Sequence, residues 1–355
     1  MDALKKWLNR VFIDGLSGMA LGLFCTLIIG TIVQQISENL LSGRIAELVV
    51  VISKVAASLT GAGIGVGVAY KLKESPLVVI SSAAAGMVGA FASNILKGTV
   101  FVDGAIHFVG PGEPMSAFLA AYIAIEVGHL VSGKTKVDII VTPFLSILSG
   151  STIGLLVGPG MAKFMEALGA LINWGTEQQP FFMGIIVSVI MGIVLTLPIS
   201  SAALGLILKL SGVAAGAATV GCCAHMIGFA VISYRENKVG GLLAQGLGTS
   251  MLQVPNLMKK PILWVPAVIT SAILGPISTL VFGMTNNAQG SGMGTSGLVG
   301  QITTYQTMIA SEDAVTVLIK IAILHFILPA ILSLIISEFM RKKGIMKDGD
   351  LKLSI

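Results

Sequence analysis

The chain is 355 residues long, with 54% apolar residues and only 11% Asp, Glu, Lys and Arg, against about 25% charged residues in soluble domains. So little charge cannot coat a water-soluble globule, which sets aside soluble enzymes, nucleic-acid binders and disulfide scaffolds together. The 43 glycines follow no collagen period and point to close helix packing, and the net charge of +5 is read as the loop bias that orients a membrane chain.

At the N-terminus, Leu4, Trp7, Leu8, Val11 and Phe12 fall at helical spacing with Lys5, Lys6 and Arg10 elsewhere on the wheel. This pattern predicts an interfacial helix over 1–14. No A-x-A-like trio follows a short apolar core, so 15–34 is expected to be a retained span.

Apolar runs then recur at the length of about 20 residues that crosses a hydrocarbon core. They predict about ten membrane elements, at 15–34, 48–70, 76–96, 114–131, 137–157, 181–208, 213–234, 240–257, 262–282 and 315–336. The eighth is the weakest, being short and carrying Gln245, Gln253 and Pro255, and reads also as a re-entrant hairpin.

With the N-terminus inside, ten crossings place most basic residues on the cytoplasmic face, including Lys71, Lys73, Lys134, Lys136, Lys209, Lys259, Lys260 and Arg341. Both termini are therefore expected in the cytoplasm, and the loop carrying Arg235 and Lys238 is the one that disagrees. Lys54 and Lys320, near the outer ends of their spans, are expected to snorkel.

The echo of Gly22-x3-Thr26-Leu27-x-Ile29 in Gly192-x3-Thr196-Leu197-x-Ile199 lies at an odd span offset, which predicts an inverted repeat. A second echo, Gly150-x4-Leu155-x2-Gly158 against Gly275-x4-Leu280-x2-Gly283, does not fit that parity. The expected fold is thus all-α and polytopic, with an inverted repeat and re-entrant loops. It comprises the 1–14 helix, a transport domain over 15–336 in halves of about 15–158 and 181–336, and a basic cytoplasmic tail over 337–355.

Several residues are candidates for chemistry. Glu126 and His129 share a helix face, a spacing compatible with a solute or proton site, a structural pair, or a metal pair that finds no second copy. Pro198 breaks the sixth element after Thr196, leaving backbone groups to line a ligand or to be satisfied by Ser200 and Ser201. His225 reads as a core histidine or a ligand. The stretch 283–306, GMTNNAQGSGMGTSGLVGQITTYQ, is expected to fold back into the protein and line a solute site through Asn286, Asn287, Gln289, Thr295, Ser296 and Gln301. Its GMGTSG is no dinucleotide fingerprint, because no βαβ unit surrounds it. In GAGIGVGVA, Gly61/Gly65 and Gly63/Gly67 predict tight helix contact. Cys25, Cys222 and Cys223 lie in apolar runs and are expected to stay reduced.

The run GMGTSGLVGQ at 292–301, GAGIGVGVA and SGVAAGAATVGCCAHMIGFAV at 211–231 resemble standalone bacterial phosphotransferase-system enzyme IIC proteins, some described as regulators of toxin expression. The block around Leu195-Thr196-Leu197-Pro198-Ile199-Ser200-Ser201 is similar to fructose-type IIC proteins but lacks their Gly-Gly-Pro-Ile-Asn-Lys motif, keeping the proline break and losing its acidic and amide groups. The resemblance implies a homodimeric permease of the bacterial inner membrane. It would move a small polar solute, sugar-like or polyol-like, by alternating access. Phosphate would come from a separate cytoplasmic IIB protein, so the chain is expected to be a transporter and no enzyme, with no cofactor, metal or nucleic acid. The other function weighed is a membrane sensor that keeps the transporter fold and signals to a cytoplasmic partner.

Overall fold

The computed structural model describes residues 2–353. Met1 of the expected interfacial helix and Ser354 and Ile355 of the expected tail lie outside the described residues, as do the side chains of Leu4 and Lys5. Among the described residues the fold is all-α apart from one β-hairpin pairing Phe101–Val102 with Ala105–Ile106.

Among the described residues six helices are long and apolar enough to cross a membrane: Lys6–Glu38, Pro114–Val131, Asp138–Thr176, Gly212–Ile232, Pro261–Val281 and Ala314–Lys342. Gly43–Ser58 and Thr60–Lys71, bent by 53° at their junction, together supply a seventh, while Pro76–Ala90 and Pro180–Thr196 are apolar but shorter. The protein is a multi-pass membrane protein. The expectation of ten elements counted every apolar run; three of those runs break in the structure, at Leu59, Phe91 and Leu197–Ser200, and 240–257 is a chain of short helical pieces.

The described residues form two compact units, 2–165 and 166–353, and the boundary falls inside the Asp138–Thr176 helix. In the first unit, the helix begun at Asp2 continues through wide π-helical turns at Arg10–Gly15 and Phe24–Ile28 without a break into the first span. Glycines set the packing. Gly63 and Gly67 lie against Gly22 and Gly18 of that helix, whereas Gly61 and Gly65 lie against Gly86 and Ser82 of Pro76–Ala90. The two pairs four residues apart therefore serve opposite helix faces, each bringing backbone against backbone.

In the second unit the axis is Gly212–Ile232, 89% buried along its apolar window against 22% for Asp138–Thr176. Pro180–Thr196 starts where this axis starts. Thr279 donates to Pro180 O at 2.9 Å and Ser188 to Ser271 O at 2.8 Å, while Gly221 packs on Ser188 and Gly192 on His225. The chain then stops at Thr196 and goes back: Ser201 Oγ donates to Gly292 O, Gly205 packs on Ala288 and Ser291, and Gly212 O accepts from Asn286 N. The segment expected to traverse at 181–208 is thus a returning hairpin. The reason is local, since Pro198 cannot continue a helix and holds Leu197 extended at φ −72°, ψ 158°.

Residues 283–308 form a second hairpin from the same end. Asn286 lies beside Gly212, Gly294 beside Cys222 and Thr295 beside Met226, before Val299–Met308 returns with Gly300 against Gly294 and Thr219. A third hairpin, 244–256, comes from the opposite end: Asn237 before it and Asn256 within it both bond the C-terminal segment. Arg235, paired with Glu338, therefore shares an end of the unit with Lys260 and Arg341, which pair with Asp350 and Glu236 respectively. Lys209, expected on the same face as Lys260 and Arg341, lies at the other end of the unit, beside Gly212 where the axis begins. Lys320 directs its ammonium to the start of its helix, where it pairs with Glu312 at 2.6 Å.

Candidate functional site

The tips of the three hairpins of the second unit converge on the middle of Gly212–Ile232. Thr196 Oγ1, at the broken end of its helix, is 2.9 Å from His225 Nδ1 and 2.9 Å from Ser250 Oγ. Thr295 Oγ1 donates to Gly246 O and, at 3.5 Å, to Met226 Sδ. Ser201 bonds the Gly292 carbonyl at 2.6 Å. The turn of the second hairpin uses left-handed backbone at Gly294 (φ +53°), which also sits so close to Cys222 that a side chain would overlap it.

Beside this junction Gln301 Nε2 donates to Cys223 Sγ at 3.3 Å and to His325 Nδ1 at 3.0 Å. That donation assigns the proton of a neutral His325 to Nε2. His325 Nε2, Gln301 Oε1, Thr304 Oγ1, Ser296 Oγ and His225 Nε2 are all buried without a protein hydrogen-bond partner. Buried polar groups are ordinarily satisfied, so a cluster of such orphans is where a polar guest is best received. No Asp, Glu, Lys or Arg occurs in 189–208, 211–234, 239–258 or 265–311, the segments that build the junction.

The sequence candidates divide accordingly. Thr196, Pro198, Ser201, His225, Thr295, Ser296 and Gln301 are buried together at or beside the junction, and Ser200 is half-buried at the break. Asn286 and Asn287 instead staple the second hairpin: Asn286 Nδ2 donates to Thr219 Oγ1 and Gly300 O, and Asn287 Oδ1 caps Gly290 N. Gln289 is exposed. His325 was not singled out in the sequence, because an isolated histidine in an apolar run carries no spacing signal; its place in a wide π-helical turn, Ala322–Ile327, emerges only in three dimensions. Ser250 likewise carries no spacing signal, whereas Gln245 and Gln253 already mark 240–257 as a re-entrant hairpin and only their partners emerge in three dimensions.

Glu126 and His129 belong to the first unit and do not bond each other. Arg10 Nε reaches Glu126 Oε1 at 2.7 Å, Arg10 Nη2 reaches Glu74 Oε1 at 2.8 Å, and His129 Nδ1 is 3.0 Å from Glu74 Oε2. The cluster joins the first helix, the turn before Pro76 and the end of Pro114–Val131. Among the described residues no group of His, Cys, Asp and Glu has a metal-holding arrangement.

Residues 13–353 match the family described as "Phosphotransferase system, EIIC". The chain belongs to that family. It is accordingly a membrane subunit of a phosphotransferase-system permease, and the family implies a polar solute and a cytoplasmic IIB partner. No curated protein matches the sequence.

Proposed function

We propose that this EIIC protein translocates a neutral, polyhydroxylated solute, a sugar or polyol, by alternating access, binding it where the three hairpins meet. The observation that carries the reading is the meeting of Thr196, paired with His225 and Ser250, and Thr295, set against Met226 and Gly246, next to the orphaned donors and acceptors of Ser296, Gln301, Thr304 and His325. Hydroxyls, amides and neutral imidazoles offer hydrogen bonds in both directions without charge, which suits a polyol and disfavours a phosphorylated or anionic one. Hairpins that meet tip to tip from opposite ends leave a short barrier on each side, the arrangement alternating access needs.

The broader setting follows the same reading: a bacterial inner membrane, both termini cytoplasmic, a homodimer, a transport domain in two halves related by an inverted repeat, and phosphate transferred by IIB. Cys222 and Cys223 are buried, so neither is placed to serve as a phosphocysteine. Asn286 and Asn287 support the loop, and Gln289 lies on its exposed side. Glu126 and His129 would take part in solute or proton binding only if their pairs with Arg10 and Glu74 open.

The test is uptake of labelled hexoses, pentoses and hexitols into proteoliposomes, with cysteines at Thr295 and Ser296 on a background lacking Cys25, Cys222 and Cys223. Slow reaction with an impermeant thiol reagent, slowed further by the transported solute, is expected. Fast labelling indifferent to every solute, with no uptake of any, overturns the proposal.

A further inference from the structure

The C-terminal segment is not a loose basic tail. After the Leu328–Lys342 helix the chain turns at Gly344, and Met346 and Leu351 enter an apolar cluster with Phe229, Ile232, Leu257, Leu263, Ala267 and Met340. Asp350 closes the turn, accepting from Lys347 N at 2.7 Å and from Lys260 Nζ at 2.6 Å. Arg341, almost fully buried, holds Glu236 at 3.2 Å and Asp348 at 2.6 Å.

Side-chain amides bind the backbone of this segment. Asn237 Nδ2 and Gln253 Nε2 both donate to Leu351 O, at 2.9 and 3.0 Å; Asn256 Nδ2 donates to Lys352 O at 3.0 Å; and Leu353 N donates to Asn237 Oδ1 at 2.9 Å. The chain of bonds continues inward. Gln253 Nε2 donates to Gln245 Oε1 at 2.9 Å, and Gln245 Nε2 to Ser233 Oγ at 2.9 Å. Gln245 and Gln253 are wholly buried, so each amide needs its partners. The same short hairpin presents Gly246 O to Thr295 and Ser250 Oγ to Thr196 on its inner side.

We propose that residues 346–353 are a positioning clasp: by supplying the carbonyls of Leu351 and Lys352 to Gln253 and Asn256, the segment fixes the 244–256 hairpin and, through it, Thr295 and Thr196. The hairpin cannot hold itself. It is assembled from short π and 3₁₀ pieces, with Thr249 extended between them, and isolated turns of that length are not stable alone. Apolar burial of Leu351 anchors the clasp and the amides read its backbone, so its register is set by the main chain more than by its side chains. Only the description of Thr196 and Thr295 as solute groups rests on the permease reading; the clasp stands on the hydrogen bonds.

The test is amide hydrogen exchange of the full chain in lipid nanodiscs, read peptide by peptide without solute. Leu351→Asp is expected to speed exchange about tenfold both in 244–256 and in 294–300, with helix 185–192 unchanged, and Leu351→Met to restore the parent pattern. Faster exchange confined to 344–353 overturns the clasp. Should Leu351→Asp loosen the whole unit, Asp350→Ala decides, because it removes only the turn and the Lys260 pair: faster exchange in 244–256 supports the proposal and parent-like exchange there overturns it. Failure of uptake in the permease assay leaves this readout untouched.

Discussion

Thr196 and Ser250, 54 residues apart in the chain, face each other hydroxyl to hydroxyl at 2.9 Å, each carried on a hairpin that reaches the junction from an opposite end of the second unit. Thr196 also donates to Gly192 O or His225 Nδ1. Thr196→Val keeps the shape and strands Ser250 and His225, which should cost about 1–3 kcal/mol and lower the thermal midpoint in detergent, whereas Thr196→Ser should stay near the parent. A Val variant as stable as the parent would mean that this contact does not hold the tips together.

Gly221 packs against the Ser188 carbonyl, and a methyl group there would overlap backbone, which cannot move aside as a flexible side chain can. Gly221→Ala should therefore push Pro180–Thr196 away from the axis and cost about 2 kcal/mol or more. Size-exclusion profiles and thermal midpoints of purified protein check this, with Ala224→Gly, on the same helix, as a cavity-forming control.

The Arg10 cluster separates structure from transport. Arg10→Ala takes from Glu74, whose side chain is 5% exposed, its guanidinium partner and leaves the His129 contact, and should destabilise the first unit by about 1–3 kcal/mol. Glu126→Gln should be milder in stability, because Glu126 is about a third exposed and Arg10 keeps Glu74. Uptake by Glu126→Gln across pH then decides its role: parent-like uptake at every pH assigns it to the clamp alone.

The clasp has a defined pH window. Burial pushes the Asp350 carboxyl up, but the hydrogen bond from Lys260, that from Lys347 N and the charges of both lysines outweigh it and leave the group below its usual value of 3.8. A carboxyl lowered in the folded state stabilises above its unfolded value and loses that contribution as pH falls through the folded one. Protection of 346–353 from proteolysis should accordingly be flat from about pH 8 to pH 5 and decline only at about pH 4 and below. Asp350→Asn should weaken protection between about pH 8 and pH 5 and converge on the parent as the acid decline sets in.

The sequence by itself determined the class. A chain with 11% charge and recurrent apolar runs has no option but to span a bilayer with helices, and the tight glycine contact of 61–67 follows from residue size, whereas the bend at Leu59 and the use of two helix faces do not. The break at Pro198 was equally legible, because proline acts on its own neighbours. Which apolar runs return instead of crossing was not. Hydropathy measures the cost of leaving water and is nearly the same for a hairpin buried in protein as for a span in lipid, so 181–208 reads as either until Asn286 is found beside Gly212. The tertiary structure alone decided the company that polar residues keep: Glu126 with Arg10 rather than His129, Lys320 with Glu312, His325 with Gln301, and the tail carbonyls with Gln253 and Asn256. A buried polar side chain has to find a partner, but its identity depends on which distant segment arrives within about 3 Å, and local spacing carries no information about that.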